Sequence, residues 1–377
     1  MGVLMNRLSL STVIFSVLLS VIFTGCEKSS ASLYDRYADW IHTSKEEKLL
    51  RRIDDFIFEI QQKGKASPEV LKDLMDLSRL GTEMGDAHRA FEAGLRAQSM
   101  AEILYGPKDE KTIRVYIQLA DFAMTLMEPR LAKNYLDKAM MAAATAHHEN
   151  YLLLADIYTR YAGVNQAFQR LDDAEALYFK AIGLVEKADS NHVMIADIET
   201  RLGILKESRK KYETAEKFYR KALGTVENIR GTSSLQSASL HNNLASVCFM
   251  TNRPEEAISH LKKALKIWEK EKDSHIKQAE IHSNLAEIYR AMQDMDKAEK
   301  EYKILLKLMK DIPETTPLYP ALLLNLSHYY TQLNQKEKAD AFKARAREIQ
   351  KILQNQYLEN VSTLETKFNR IPGMEIK

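Results

Sequence analysis

Residues 241–265 read HNNLASVCFMTNRPEEAISHLKKAL, and residues 282–306 read HSNLAEIYRAMQDMDKAEKEYKILL. Laid over each other at a shift of 41, they bring Leu244 onto Leu285, Ala245 onto Ala286 and Ala257 onto Ala298. Large and small apolar residues recur within each stretch at steps of three, four and seven, which is one face of an α-helix. Each stretch therefore reads as two helices joined by a short turn. A helix pair of this size cannot bury its apolar face alone, so neighbouring pairs must stack.

The same beat runs outward in both directions. Ala90, Ala132, Ala174, Ala215, Ala257, Ala298 and Ala339 are separated by 42, 42, 41, 42, 41 and 41 residues, and self-similarity at a fixed period marks a stack of like units. Thirteen places before each alanine stands Leu77, Leu119, Tyr161, Leu202, Leu244, Leu285 or Leu326, followed by Ser78, Ala120, Ala162, Gly203, Ala245, Ala286 or Ser327. Seven places after the alanine comes a second one, at Ala97, Ala139, Ala181, Ala222, Ala264 and Ala346, with Leu305 as the exception. Small residues at these places let two antiparallel helices approach closely, and a larger side chain would overpack at a cost of about 1–3 kcal/mol. Pro129 and Pro254 sit three residues before their alanines, where a first helical turn tolerates proline. They predict second helices over roughly 129–147 and 254–272. Pro313, Pro317 and Pro320 predict an irregular connection before the last repeat.

These columns resemble the tetratricopeptide repeat, with its leucine–small–aromatic first helix and alanine–aromatic–alanine second helix. A period of about 42 rather than 34 is similar to the longer-looped repeats of kinesin light chains and their bacterial relatives. The resemblance covers roughly residues 69 to 350. It implies an all-α fold: a right-handed superhelical solenoid of seven helix-turn-helix repeats over 68–352, with capping helices at both ends. Residues 33–67 read as an N-terminal helical cap or a degenerate repeat, in which Tyr34, Tyr37 and Trp40 either pack or meet lipid headgroups. Past Ala339, the stripe Phe342, Ala346, Ile349, Leu353, Tyr357, Val361, Leu364 and Phe368 predicts a final helix of some 30 residues. Its far half, from 353 towards 377, either caps the stack or offers an amphipathic face to a partner.

The first 25 residues stand apart from the repeats. Arg7 precedes an apolar run from Leu8 to Phe23, and Thr24-Gly25-Cys26 follows, the pattern of an export signal. Phe23-Thr24-Gly25-Cys26 resembles the bacterial lipobox, which implies that Cys26 is diacylated and becomes the new N-terminus. The competing reading is an uncleaved membrane anchor, since about 17 apolar residues are the lower limit for spanning. The polar residues 27–32 after Cys26 favour lipidation followed by a short tether. Two or more acyl chains anchor firmly where one does not. Glu27 stands where inner-membrane retention would use aspartate, so the expected place is the outer membrane, facing the periplasm.

Thirteen glycines and eight prolines among 377 residues fit a helix-rich chain. A formal charge of +2 with interspersed signs argues against a nucleic-acid partner, which needs a one-signed face. No glycine-rich phosphate loop, GxSxG elbow, HExxH or CxxC pair is present. The expectation is a protein that is not an enzyme and holds no cofactor or metal beyond lipid on Cys26. Cys248 reads as a buried, inert thiol. His147 and His148 are adjacent, so on a helix they point about 100° apart and cannot share one ion. Asp172, Asp173, Glu255 and Glu256 open second helices and complement their dipoles. Lys206, Arg209, Lys210 and Lys211 read as a solvated helix end.

Binding is then left to the first helices. Asn243, Asn284 and Asn325 each precede the column leucine, and Arg201, Arg160 and Gln118 hold the place in earlier repeats. In the families named above, asparagine here holds the backbone of an extended peptide, since its amide both donates and accepts. Asp121, Asn242, Ser246, Glu287, Arg290 and His328 lie on the same face. The resemblance thus implies a partner-binding groove on a membrane-anchored scaffold or assembly factor of the cell envelope. A merely solvated groove is the bland alternative. A solute or glycan receptor, or an accessory of polysaccharide export, is the other functional reading.

Overall fold

The computed structural model describes residues 67–83, 87–189, 192–272, 274–314 and 316–368. The leader, Cys26, the tether and residues 33–66 lie outside them. The described residues hold fourteen α-helices in seven pairs: α1 Pro68–Glu83 with α2 Ala87–Tyr105, α3 Glu110–Thr125 with α4 Pro129–Ala146, and α5 Tyr151–Ala167 with α6 Leu171–Ala188. Then come α7 Val193–Ser208 with α8 Tyr212–Arg230, α9 Leu235–Met250 with α10 Pro254–Trp268, α11 His275–Ala291 with α12 Met295–Leu308, and α13 Tyr319–Gln332 with α14 Lys336–Phe368. None of these helices is long and apolar enough to cross a membrane.

The chain forms two compact units, residues 67–189 and residues 192–356. The partners of the first six pairs pack along their length, and within each unit successive pairs meet, α2 on α3, α4 on α5, α8 on α9 and α10 on α11. The repeating columns supply the contacts. All seven anchor alanines are buried, six of them completely, and so are Ala97, Ala139, Ala181, Ala222, Ala264, Leu305 and Ala346. Four places after the anchor, Tyr178, Tyr219 and Tyr302 are sealed as well, and each hydroxyl finds an acceptor: Gln166 Oε1 at 2.5 Å, Glu207 Oε2 at 2.8 Å, and the Glu287 carboxylate.

Several first helices begin at side-chain caps. Asp109, Asn150 and Ser234 accept from Lys111 N, Leu153 N and Ser237 N at 2.9, 3.1 and 3.2 Å, satisfying donors that a helix start leaves open. The turn inside each of the last six pairs is a recurring device. Met127, Gln169, Lys210, Asn252, Gln293 and Asn334 have φ between 55° and 64°, always five places before the anchor alanine. The following amide reaches back to the first helix, as Glu128 N to Ala123 O at 2.8 Å and Asp294 N to Tyr289 O at 3.0 Å, the 6→1 bond of a Schellman ending.

Three details differ from expectation. α10 stops at Trp268 rather than 272, because the Ser274 hydroxyl donates to the Trp268 and Glu271 carbonyls at 2.6 and 2.9 Å and turns the chain. Lys206 is buried rather than part of a solvated end. Lys210, from the same basic run, is the left-handed residue of the turn into α8. The proline-rich connection contains a 3₁₀ turn, Met309–Asp311, and Pro320 sits in the first turn of α13.

Candidate functional site

The residues expected to line a groove are largely tied to one another. In the first unit, Gln118 Nε2 donates to the Met75 carbonyl at 3.1 Å. Arg160 is held by Asp121, with Nε 2.9 Å from Oδ2, and by Asp156. In the second unit, Ser246 donates to Glu207 at 2.6 Å, and Asn325 Nδ2 donates to Ser283 Oγ at 2.8 Å. Arg290 pairs with Glu287 at 2.7 Å and extends to Gln332 at 3.4 Å. Arg201 is half-buried on α7 and also has a partner. His328 is half-buried, with its Nδ1 sealed from solvent and unpaired among the described residues, and burial holds its pKa below the ordinary histidine value. Instead of projecting into solvent, Asn243, Asn325, Glu287 and Arg290 are buried. The physical reason is the close approach of successive first helices, which leaves polar side chains to satisfy each other across the seam.

One amide of α9, that of Asn243, makes the exception, although its neighbour Asn242 does not. Asn242 Nδ2 donates to Glu280 Oε1 at 3.0 Å, and its Oδ1 accepts from Asn284 Nδ2 at 3.1 Å. Lys277 Nζ lies 3.3 Å from the other Glu280 oxygen, so charge, carboxylate and two amides form one chain across α9 and α11. Beside it, Asn243 is 6% exposed and its Nδ2 has no hydrogen-bond partner among the described residues. Both asparagines line a shallow cleft, open to solvent and with about 10 Å³ of free space, together with Ser239, Trp268, Lys277, Glu280 and Ile281. A sealed amide donor without an acceptor costs roughly 1–3 kcal/mol. Set beside an indole and an aliphatic side chain, it suits a ligand carrying both a carbonyl and an apolar group.

Sequence reading missed a second set of buried polar groups. Sixteen places before the anchor stand Glu199, His241 and His282, all buried. His282 Nδ1 lies 2.6 Å from Glu301, and at the equivalent place one repeat earlier His241 Nδ1 lies 3.0 Å from His260 Nδ1. Lys221 reaches Glu199 at 2.6 Å. The signal was present in the pairing of position 241 with 282 and 260 with 301, at one period. Burial holds His241 well below the ordinary histidine range, at about 4, with the neighbouring His260 adding to the effect. Cys248 is wholly buried, and burial pushes its thiol up to about 11. His147 Nε2 meets the Lys108 carbonyl at 2.8 Å, and His148 is exposed beside Glu149.

Comparison with known proteins agrees with this architecture. The family model described as tetratricopeptide repeat matches residues 153–224, 194–270 and 277–352. No curated protein matches the chain. Among experimental structures, BtubC (BKLC) from P. vanneervenii is similar at 21% identity and a TM-score of 0.51, over 62% of this chain and 91% of that one. A Rap protein complexed with competence and sporulation factor shares 16% identity and a TM-score of 0.54, over 93% of this chain and 99% of that one. The Rap conjugation gene regulator of plasmid pLS20, in complex with the Phr* peptide, shares 14% identity and a TM-score of 0.55, covering 76% and 75%. At these identities the likeness speaks for fold alone.

Proposed function

The chain belongs to the tetratricopeptide-repeat family, and on that premise we propose that it is an interaction scaffold of the bacterial cell envelope that holds an extended partner segment in the α9–α11 cleft. The observation that carries this reading is the sealed, unpaired Nδ2 of Asn243. Folding leaves that donor without compensation, and a partner's backbone carbonyl would supply what is missing once the side chain rotates outward to present it. Half-buried Trp268 offers apolar contact next to it, and half-buried Lys277, paired with the buried Glu280, stands beside them. A peptide complex of a protein with the same fold, the pLS20 regulator with Phr* peptide, is consistent with such use.

Attachment to the membrane through lipid on Cys26 belongs to the same proposal, with the repeats facing the periplasm. It rests on the apolar leader and the Phe23-Thr24-Gly25-Cys26 quartet. Incorporation of labelled palmitate that disappears in Cys26→Ser, together with release of the protein from the membrane fraction, is expected. A Cys26→Ser protein that stays membrane-bound and labelled overturns the anchor.

The partner is tested by a photo-crosslinking side chain placed at Ser239 in the full chain, in intact envelopes. Attachment to a defined envelope protein, lost when Asn243→Leu is added, supports the cleft. An unchanged crosslink in Asn243→Leu and in Trp268→Ala removes it as the binding site.

A further inference from the structure

We propose that the fifth repeat carries a site for a thiophilic divalent cation such as Zn²⁺, built from Cys248 on α9 and Glu256 and His260 on α10. A donor atom from each of the three lies within 4.8 Å of the other two. His260 Nε2 is 3.8 Å from Glu256 Oε1. Donors around a tetrahedral zinc ion stand about 3.5 Å apart, given metal–ligand distances of about 2.0–2.3 Å, so side-chain adjustments of roughly an ångström close the site. Thiolate, imidazole and carboxylate are the donor types that zinc takes, and three protein ligands leave a fourth position for water.

The surroundings are arranged for this. His260 uses its other ring nitrogen, Nδ1, against His241 Nδ1 at 3.0 Å. A proton on His260 Nδ1 donated to His241 leaves Nε2 as a lone pair turned towards Cys248 and Glu256, the ring orientation that an outer partner fixes in metal sites. Glu256 is held by Arg220 at 2.7 Å and Arg253 at 2.8 Å. Both guanidiniums also pair with Glu216, so Glu256 can turn to a cation without stranding either arginine. Cys248 and His260 are buried while the Glu256 side chain is 37% exposed, which gives the ion a way in. Capture displaces the thiol proton, so binding releases acid.

Packing does not dictate this set. The same three places hold Lys206, Thr214 and Phe218 in the fourth repeat, Tyr289, Lys297 and Glu301 in the sixth, and Tyr330, Lys338 and Phe342 in the seventh. Repeats with those residues fold into the same helix pair. A bound ion would pin α9 to α10, the helix pair whose first member carries Asn242 and Asn243.

The test uses the full-length protein titrated with Co²⁺ as a spectroscopic probe, then with Zn²⁺ in competition. One equivalent of Co²⁺ giving a thiolate-to-cobalt charge-transfer band is expected, displaced by Zn²⁺, together with a rise in Tm on saturation. The band vanishes in Cys248→Ser, although Cys26 remains there, and affinity falls about tenfold or more in Glu256→Gln and in His241→Phe. Glu256→Gln keeps every packing contact of the pair, so unchanged helical circular dichroism in it separates lost ligation from lost fold. The proposal is overturned by absence of the band, or by a band that survives in Cys248→Ser.

Discussion

Gly203 of α7 lies against the ring of Tyr219 of α8 so closely that a Cβ on the glycine would stand 2.4 Å from Cε1 and 2.6 Å from Cδ1. Tyr219 is wholly buried and its hydroxyl is fixed on Glu207 at 2.8 Å. The ring therefore cannot swing aside without breaking that bond.

Gly203→Ala is accordingly destabilising, although alanine favours a helix by about 1 kcal/mol over glycine. Overpacking of about 1–3 kcal/mol outweighs the propensity gain. Urea unfolding should show a lower midpoint for Gly203→Ala than for Gly224→Ala, since a Cβ at Gly224 meets nothing within 4 Å. Equal midpoints would refute the contact.

Lys210 holds φ at 59° in the turn between α7 and α8. A side chain in that region costs roughly 1–2 kcal/mol, which glycine escapes. Lys210→Gly should raise stability by about 1 kcal/mol in the same assay, while Lys210→Val, branched at Cβ, should lower it. The reverse order would show that the turn is not left-handed.

Glu207 is buried, and burial lifts its pKa above the ordinary 4.5 despite donors from Ser246 and Tyr219 that pull it down. The folded state thus binds this proton more tightly than the unfolded chain. Any stabilising effect is complete at low pH and is lost as pH rises from about 4.5 through the raised native pKa. Glu207→Gln keeps an acceptor for Tyr219 and never charges, so its stability relative to the parent should increase with pH across that window. A difference that is flat or falls with pH contradicts the assignment.

Asn243→Leu replaces an unpaired buried amide with an apolar group of similar size. Stability should rise by about 1 kcal/mol as the desolvation cost disappears, while partner capture through the cleft is lost. A variant that is less stable than the parent would mean that Nδ2 has a partner in the folded protein.

The pairs and their order were legible because seven small side chains return at 41 or 42 residues, and only tight helix contacts demand small side chains at a fixed phase. Helix starts at Pro129 and Pro254 were legible for a local reason, the fixed φ of proline. The left-handed turn was not. In the last six repeats its column reads Met, Gln, Lys, Asn, Gln, Asn, and the glycine that usually marks such endings stands at this place only in the first repeat, at Gly85, so for those six the backbone reveals it.

The groove residues show the same divide. Sequence position placed Asn243 and Asn325 in one column of the first helices, with Asn242 next to it, which is a matter of period alone. Whether each amide meets a neighbour is set by separations of ångströms between first helices about 40 residues apart, and no local pattern encodes them. Asn325 found Ser283, Asn242 found Glu280 and Asn284, and Asn243 Nδ2 found nothing among the described residues. The sequence by itself determined which residues pack, because burial follows periodicity. Only the tertiary structure decided which polar groups were left over, because hydrogen bonding depends on distance and direction across the seam.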